Sequence, residues 1–290
     1  MSNHRNDTEL PSAVGSWPEH LKHDSIGGFH RHPTTMTRPS IKIVHTSDVH
    51  LDGRDRTPES DGFRNVAERA FSAVVDLVVS QSADLFLIAG DLFDSNRMCE
   101  ADFEFVYTQL MRTDCPVVLI PGNHDVNNEA SVWTRLQLEK AGNDIHPITN
   151  ATGELIDLPQ IRTTIWGRSM AEHAPDNIPM DGVSTGPDGY WHVGMAHGDV
   201  LRDRTSGCSS PITHDEIESS QLDYLALGHV HVWRQHDHGR TRACYPGSPV
   251  AEYATIAGGH AAVITLTDGK PAEIEKQKVS ERKDTHHFMM

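Results

Sequence analysis

The chain has 290 residues and a formal net charge of -16 at pH 7, a length that holds one large domain or two small ones around a sizeable core. The acidic balance disfavours a broad basic track along nucleic acid, although a local patch or bound cations can still supply positive potential. No run of about 20 apolar residues suggests a membrane span, Met1 to Glu9 lacks a secretory apolar segment, and Cys99, Cys115, Cys208 and Cys244 are scattered without a Cys-x-x-Cys pair, which points to reduced thiols in a cytoplasmic protein.

Residues 1–40 carry prolines, five histidines and little apolar periodicity, the pattern of a flexible or loosely packed arm. Order is expected to begin at Ile41–Thr46, a β-branched run suited to a strand. An amphipathic helix follows, with Val66, Ala70, Ala73, Val74, Leu77 and Val78 on one stripe. Asp84–Ala89 reads as a second buried strand. Phe103, Val106, Tyr107, Leu110 and Met111 mark another helical stripe, and Pro116–Ile120 reads as a third strand. Strands alternating with helices imply βαβ units and a parallel sheet.

The second half changes character. Short apolar runs at 161–167, 191–196, 223–228, 231–235, 241–245 and 261–267 are separated by Gly, Pro and Asp. They read as strands of a second sheet packed on the first. The expected organisation is an arm over 1–40, one domain over 41–268, and a charged tail over 269–290 with a final strand near Ile274.

Polar residues cluster just after the predicted strands. Asp48 and His50 follow the first, Asp91 and Asp94 the second, and Asn123, His124 and Asp125 the third. Later come His197, then His229 and His231. Open α/β sheets bind ligands at the carboxyl ends of their strands, so one topology can gather all of these. Carboxylate, amide oxygen and imidazole suit divalent Mn, Fe, Zn, Co or Ni, and the lack of thiolates argues against a structural zinc site. Each piece alone has a plainer reading: Asp48 as a turn or cap, Gly122-Asn123-His124-Asp125 as a tight turn, Asp94 as an orienting or capping group. The five signatures together, in this order, make coincidence improbable.

The ordered set Asp48-x-His50, Gly90-Asp91-x-x-Asp94, Gly122-Asn123-His124-Asp125, His197 and Gly228-His229-x-His231 resembles the calcineurin-like metallophosphoesterases over about residues 41–268. The resemblance implies a two-sheet β-sandwich flanked by helices, of the α/β class, with two divalent metal ions at one edge. Mn²⁺ is the ion expected first. The family's pattern assigns Asp48, His50, Asp91 and His231 to one metal, and Asp91, Asn123, His197 and His229 to the other. His124 matches the histidine that contacts the phosphate and protonates the leaving oxygen, with Asp125 expected to orient it.

The wording of His45–Leu51, Ala89–Arg97, Leu225–His231 and Tyr245–Pro249 is similar to DNA-repair exonucleases of the SbcD type. That likeness implies a phosphodiesterase in which metal-activated water attacks DNA. Asp52 departs from it, standing where glycine usually follows the His-Leu pair, so the loop with Arg54 and Arg56 is expected to contact substrate differently. The DNA-binding cap and the helices that dock an ATPase are not recognisable, so an ATPase partner is not expected, while a homodimer is. The competing reading is a small-molecule phosphoesterase acting on a cyclic nucleotide, nucleotide or other organic phosphate ester. Asn123, His124 and Arg97 are candidate substrate contacts, Arg97 with a surface ion pair as an equal alternative. Trp133 and Trp233 are expected to pack rather than stack on bases, Asp199 to orient a ligand or cap a turn, and His286 and His287 to be solvated.

Overall fold

Strands buried on both faces are expected to be largely apolar; Leu85–Ala89 and Val117–Ile120 are apolar throughout, while Ile41–Thr46 also carries Lys42 and His45. The computed structural model describes residues 37–53, 58–142, 144–204, 207–251 and 259–280. Arg54, Arg56, His286, His287 and all of the expected arm except residues 37–40 lie outside them.

In chain order the elements are β1 (Ile41–Thr46), α1 (Val66–Ser80), β2 (Leu85–Ala89), α2 (Glu100–Leu110), β3 (Val117–Ile120), β4 (Ile145–Pro147), β5 (Glu154–Leu158), β6 (Thr163–Gly167), β7 (Trp191–His197), β8 (Asp199–Leu201), β9 (Pro211–Thr213), α3 (His214–Ser219), β10 (Tyr224–Gly228), β11 (Arg234–His238), β12 (Thr241–Tyr245), β13 (His260–Leu266) and β14 (Glu273–Lys278). One six-stranded sheet runs β14-β13-β1-β2-β3-β4 and a second runs β11-β12-β10-β7-β6-β5, with β8 and β9 as a separate pair. β1 through β4 are mutually parallel, as are β6, β7, β10 and β12. Antiparallel strands close one edge of the first sheet, β13 and β14, and both edges of the second, β5 and β11. The final strand anticipated near Ile274 is β14, which pairs with β13 along its whole length.

Alternation along each strand divides the core into three layers. Ile41, Ile43, Leu85, Leu87, Val118 and Ile120 face the second sheet and meet Ile165, Val193, Met195, Tyr224 and Ala226. The opposite face of the first sheet, with Val44, Phe86, Ile88, Val117 and Leu119, is covered by Ala70, Phe71 and Val74 of α1 and Phe103 and Val106 of α2. Leu225, Leu227 and Ala243 on the outer face of the second sheet pack against Ile217 of α3. The result is a two-sheet sandwich flanked by helices, as the sequence predicts. Asn65 caps α1, its side chain accepting from the Glu68 amide at 2.9 Å.

His45 lies deep between the sheets. It is fully buried, with its Nδ1 at 2.8 Å from the Tyr224 hydroxyl. Burial drives its pKa down to about 3, so the ring is neutral in the fold.

Candidate metal centre

The parallel strands of both sheets point their carboxyl ends at one edge. Thr46 of β1 lies beside Ile88 of β2, Ala89 beside Ile120 of β3, and Gly228 of β10 beside His197 of β7. The next residues of the chain are Ser47-Asp48, Gly90-Asp91, Pro121–Asn123 and His229. Strand pairing continues irregularly past β1 and β2: the Asp48 amide donates to Gly90 O, His50 to Asp91 O and Leu51 to Leu92 O, each at 3.0 Å.

That irregular stretch turns side chains inward through left-handed backbone. Asp48, His50, Asp91 and His229 have φ of 56°, 53°, 52° and 102°, a region that costs L-residues energy and clusters at functional sites. Two glycines make room for the convergence. A Cβ at Gly122 would overlap the Asp91 carboxylate, and one at Gly228 would overlap Ala89 O and the His197 ring.

Every residue that the sequence singles out as a ligand arrives at this edge. On one side, His50 Nε2 lies 3.1 Å from His231 Nε2 and 3.8 Å from Asp91 Oδ2, while His231 Nε2 lies 3.6 Å from Asp48. On the other, His197 Nε2 lies 3.3 Å from Asp91 Oδ2 and 3.0 Å from Asn123 Oδ1, to which His229 Nδ1 is also close at 2.8 Å. Asp91 stands between the two groups. Asp48 and Asp91 are almost wholly inaccessible, and carboxylates are not normally buried without paired charge or a cation. Two imidazole nitrogens face to face at 3.1 Å, flanked by carboxylates, form a donor set that fits divalent transition-metal ions.

The electrostatics reflect the same crowding. Burial works against charge on both His197 and Asp91, yet their contact overcomes it. The Asp91 carboxylate, helped by Asp48 and Ala89 O, holds the His197 pKa up at about 9. The His197 and His50 rings and the His124 amide in turn keep the Asp91 carboxyl well below the usual carboxylate range. Asp91 and His197 thus favour each other's charged forms where the sequence predicts a bridging carboxylate.

A surrounding layer fixes these groups. Ser47 Oγ donates to Asp48 at 2.5 Å and the His229 amide donates to the same carboxylate at 3.1 Å. His197 Nδ1 is held by Ala89 O at 2.9 Å. Asp199 Oδ2 lies 3.6 Å from His229 Nε2, and that contact lowers the Asp199 pKa. Ser248, which sequence reasoning passed over except as part of the Tyr245–Pro249 wording, clamps two of the loops. Its hydroxyl donates to Asp48 O at 2.7 Å and its amide to His231 O at 3.2 Å. Exposed His173, also passed over, sits edge-on to His229 with centroids 5.4 Å apart. Neither carries a signal in sequence, because each is defined by a neighbour far along the chain.

His124 and Asp125 go opposite ways. His124 is 43% exposed, its ring edge-on to His50 at 4.6 Å. Its Nδ1 lies 3.1 Å from Asp94 O and 3.4 Å from Asp94 Oδ1. Asp94 also reaches His50 Nδ1 at 3.2 Å. Asp125, expected to orient His124, is wholly buried and accepts instead from the Gly122 and Phe93 amides at 2.6 and 3.2 Å. Adjacent residues of a tight turn project to different sides, so Asp125 braces the loop beneath and Asp94 takes the place beside His124. Burial, then the nearby Asp91 charge, raises the Asp125 pKa to about 7.

Arg97 is exposed. Trp133 is buried, with its indole N–H donating to Asp125 O at 2.6 Å, and Trp233 packs against the inter-sheet core beneath Lys276. Both tryptophans therefore pack, as expected. Asp52 accepts from the Asn65 side chain at 3.1 Å and so braces the start of α1.

The model of the calcineurin-like phosphoesterase family matches residues 41–233. Among curated relatives, the chain is 28% identical over 231 residues to the uncharacterized metallophosphoesterase YhaO of Bacillus subtilis, covering 75% of this chain and 55% of that protein. It is 25% identical over 272 residues to a subunit of the nuclease SbcCD of the same organism, covering 80% of this chain and 67% of that one. It is also 28% identical over 100 residues to a probable cyclic nucleotide phosphodiesterase of Moraxella catarrhalis, covering 34% of this chain and 33% of that protein. The chain thus spans little more than half the length of the first of these relatives. With the ordered motifs, the sandwich and the convergent donors, the family match leaves one conclusion: the chain belongs to the calcineurin-like phosphoesterase family.

Proposed function

We propose that the chain is a dinuclear metal-dependent phosphodiesterase of the repair-nuclease type. The observation that carries this reading is the position of Asp91 between two groups of nitrogen and oxygen donors, with the exposed imidazole of His124 within reach of His50 and Asp91. Asp48, His50, Asp91 and His231 would hold one cation; Asp91, Asn123, His197 and His229 would hold the other. A bound pair of cations supplies Lewis acidity to a phosphoryl oxygen and lowers the pKa of water, and Mn²⁺ is the ion expected first.

The chain's own residues do the rest. As general acid His124 acts in its doubly protonated form: Nδ1–H is directed at Asp94, and Nε2 gives its proton to the departing oxygen, which leaves the ring neutral. Asn123 and His124 contact the phosphate, with Arg97 at the rim. Asp94 orients His124 from its backbone carbonyl and carboxylate. Asp199 and Ala89 O hold His229 and His197 in the orientation that turns their other nitrogens to the centre. The DNA substrate is supported by likeness to the nuclease subunit over 80% of this chain. A small phosphate ester is the second reading, favoured by the net charge of -16.

One panel decides between them. With Mn²⁺ present, hydrolysis of single- and double-stranded DNA is compared with that of cyclic nucleotides and aryl phosphate mono- and diesters. Turnover of DNA ends above that of any small ester is expected. Activity confined to small esters overturns the nuclease reading, and no hydrolysis of any phosphoester overturns both.

A further inference from the structure

On the outer face of the second sheet, three histidines that are not among the centre's ligand candidates come together. His214 opens α3, while His236 and His238 are two residues apart on the edge strand β11. Residues at i and i+2 of a strand share a face. His236 pairs across the ladder with Ala243, which packs on the same face as Ile217 of α3. The short helix and the edge strand therefore present their imidazoles to each other.

The rings are close. His214 and His238 stack with centroids 4.3 Å apart at 27°, and His236 and His238 lie 6.2 Å apart at 20°. One nitrogen from each ring lies within 4.8 Å of the others. Around a tetrahedral ion, nitrogens bound at about 2.0–2.1 Å sit about 3.3 Å from one another, so modest ring rotation closes the set. His236 Nε2 is buried and has no hydrogen-bond partner, an uncommon state for a ring nitrogen. Hydrogen bonding does not account for the grouping, since a neutral imidazole carries one donor and one acceptor and stacked rings satisfy neither.

The surroundings favour neutral rings with free lone pairs. Burial, then the proximity of the other two histidines and Arg234, lowers the pKa of His236, against a smaller opposing effect of Asp237. Burial and His214 lower that of His238, opposed by Glu218 and Asp237. Neutral imidazole is the form that binds metal. Three imidazoles with no thiolate suit Zn²⁺, Cu²⁺, Ni²⁺ or Co²⁺ and are poor ligands for Mg²⁺ or Ca²⁺.

We propose that His214, His236 and His238 form a second, mononuclear transition-metal site, with Zn²⁺ the expected occupant, that ties the edge strand β11 to α3. Three protein ligands leave a fourth position for water. This site is separate from the phosphoesterase centre and does not depend on its reading.

The test uses the full-length chain stripped of metal and titrated with Zn²⁺ alone, bound metal being counted by equilibrium dialysis. His214→Gln with His238→Gln is expected to lose one equivalent relative to the unmutated chain, whatever the number held at the phosphoesterase centre. Asp91→Asn is expected to leave that equivalent in place. In the unmutated chain, diethyl pyrocarbonate labelling mapped by mass spectrometry is expected to show His214 and His238 protected when micromolar Zn²⁺ is added. This arm holds even if the double variant does not fold. An unchanged zinc count in a folded double variant, labelling of His214 and His238 indifferent to zinc, or protection only at millimolar zinc each overturns the proposal.

Discussion

The two sheets meet at one edge but bring different chemistry to it. The first contributes Asp48, His50, Asp91, Asn123 and His124, and with them both buried carboxylates at the donor set. The second contributes only imidazoles, His197, His229 and His231, with Asp199 behind them. Carboxylates are thus gathered on one wall and imidazoles face them from the other. In the protein as folded, the two walls are joined by the Asp91–His197 ion pair. On the proposed function, a cation bound there would take the place of the His197 proton, and the donor set draws on both sheets.

Substitutions can break this division at graded cost. Asp91→Asn has the largest expected effect, because it removes the charge that both donor groups share. Metal content and hydrolysis should fall together, turnover by about 10³-fold or more; normal metal content by elemental analysis would separate Asp91 from both groups. His124→Ala comes next. It should keep its metal and slow the hydrolysis of diesters with poor leaving groups by about 10²–10⁴-fold, with a smaller loss on activated aryl esters. An equal loss on both would mean that the ring positions substrate instead of protonating it. Asp199→Asn tests the second wall, where weakening the support of His229 should reduce metal affinity by about 10–100-fold, read by chelator competition.

At neutral pH the smallest expected effect lies at the seam between the sheets. His45 is neutral in the fold, its pKa lowered to about 3 from the ordinary 6.5. A depressed folded pKa means that stability is fully present above 6.5 and is lost as pH falls towards 3, because the unfolded chain takes up the proton first. Between those limits the loss is about 1.4 kcal/mol per pH unit. His45→Gln should remove that slope from the difference between wild-type and variant denaturation curves. Identical slopes would show that the ring is charged or solvated.

The first sheet was readable in sequence because β2 and β3 are buried on both faces and appear as unbroken apolar runs, and β1 is rich in β-branched residues around Lys42 and His45. The candidate ligands were readable for a related reason: each follows such a run within a few residues. The edges of the second sheet hid themselves. Arg234–His238 of β11 contains no apolar residue, and only its pairing with β12 makes it a strand. The run expected over 231–235 therefore lies mostly in the loop that carries His231. β5, with exposed Leu155 and Asp157, is another such edge. Asp125 was misread for a local reason, since sequence adjacency says nothing about which side of a turn a carboxylate leaves. Ser248 and the grouping of His214 with His236 and His238 depend on contacts that only the folded chain makes.

The left-handed backbone at Asp48, His50, Asp91 and His229 has an evolutionary corollary. Each such residue costs on the order of 1–3 kcal/mol that glycine would largely recover. A library screened for heat tolerance alone should therefore drift towards glycine at these four positions and yield robust, hydrolytically dead descendants. On the proposed function, a working lineage has to keep the strain at these four positions.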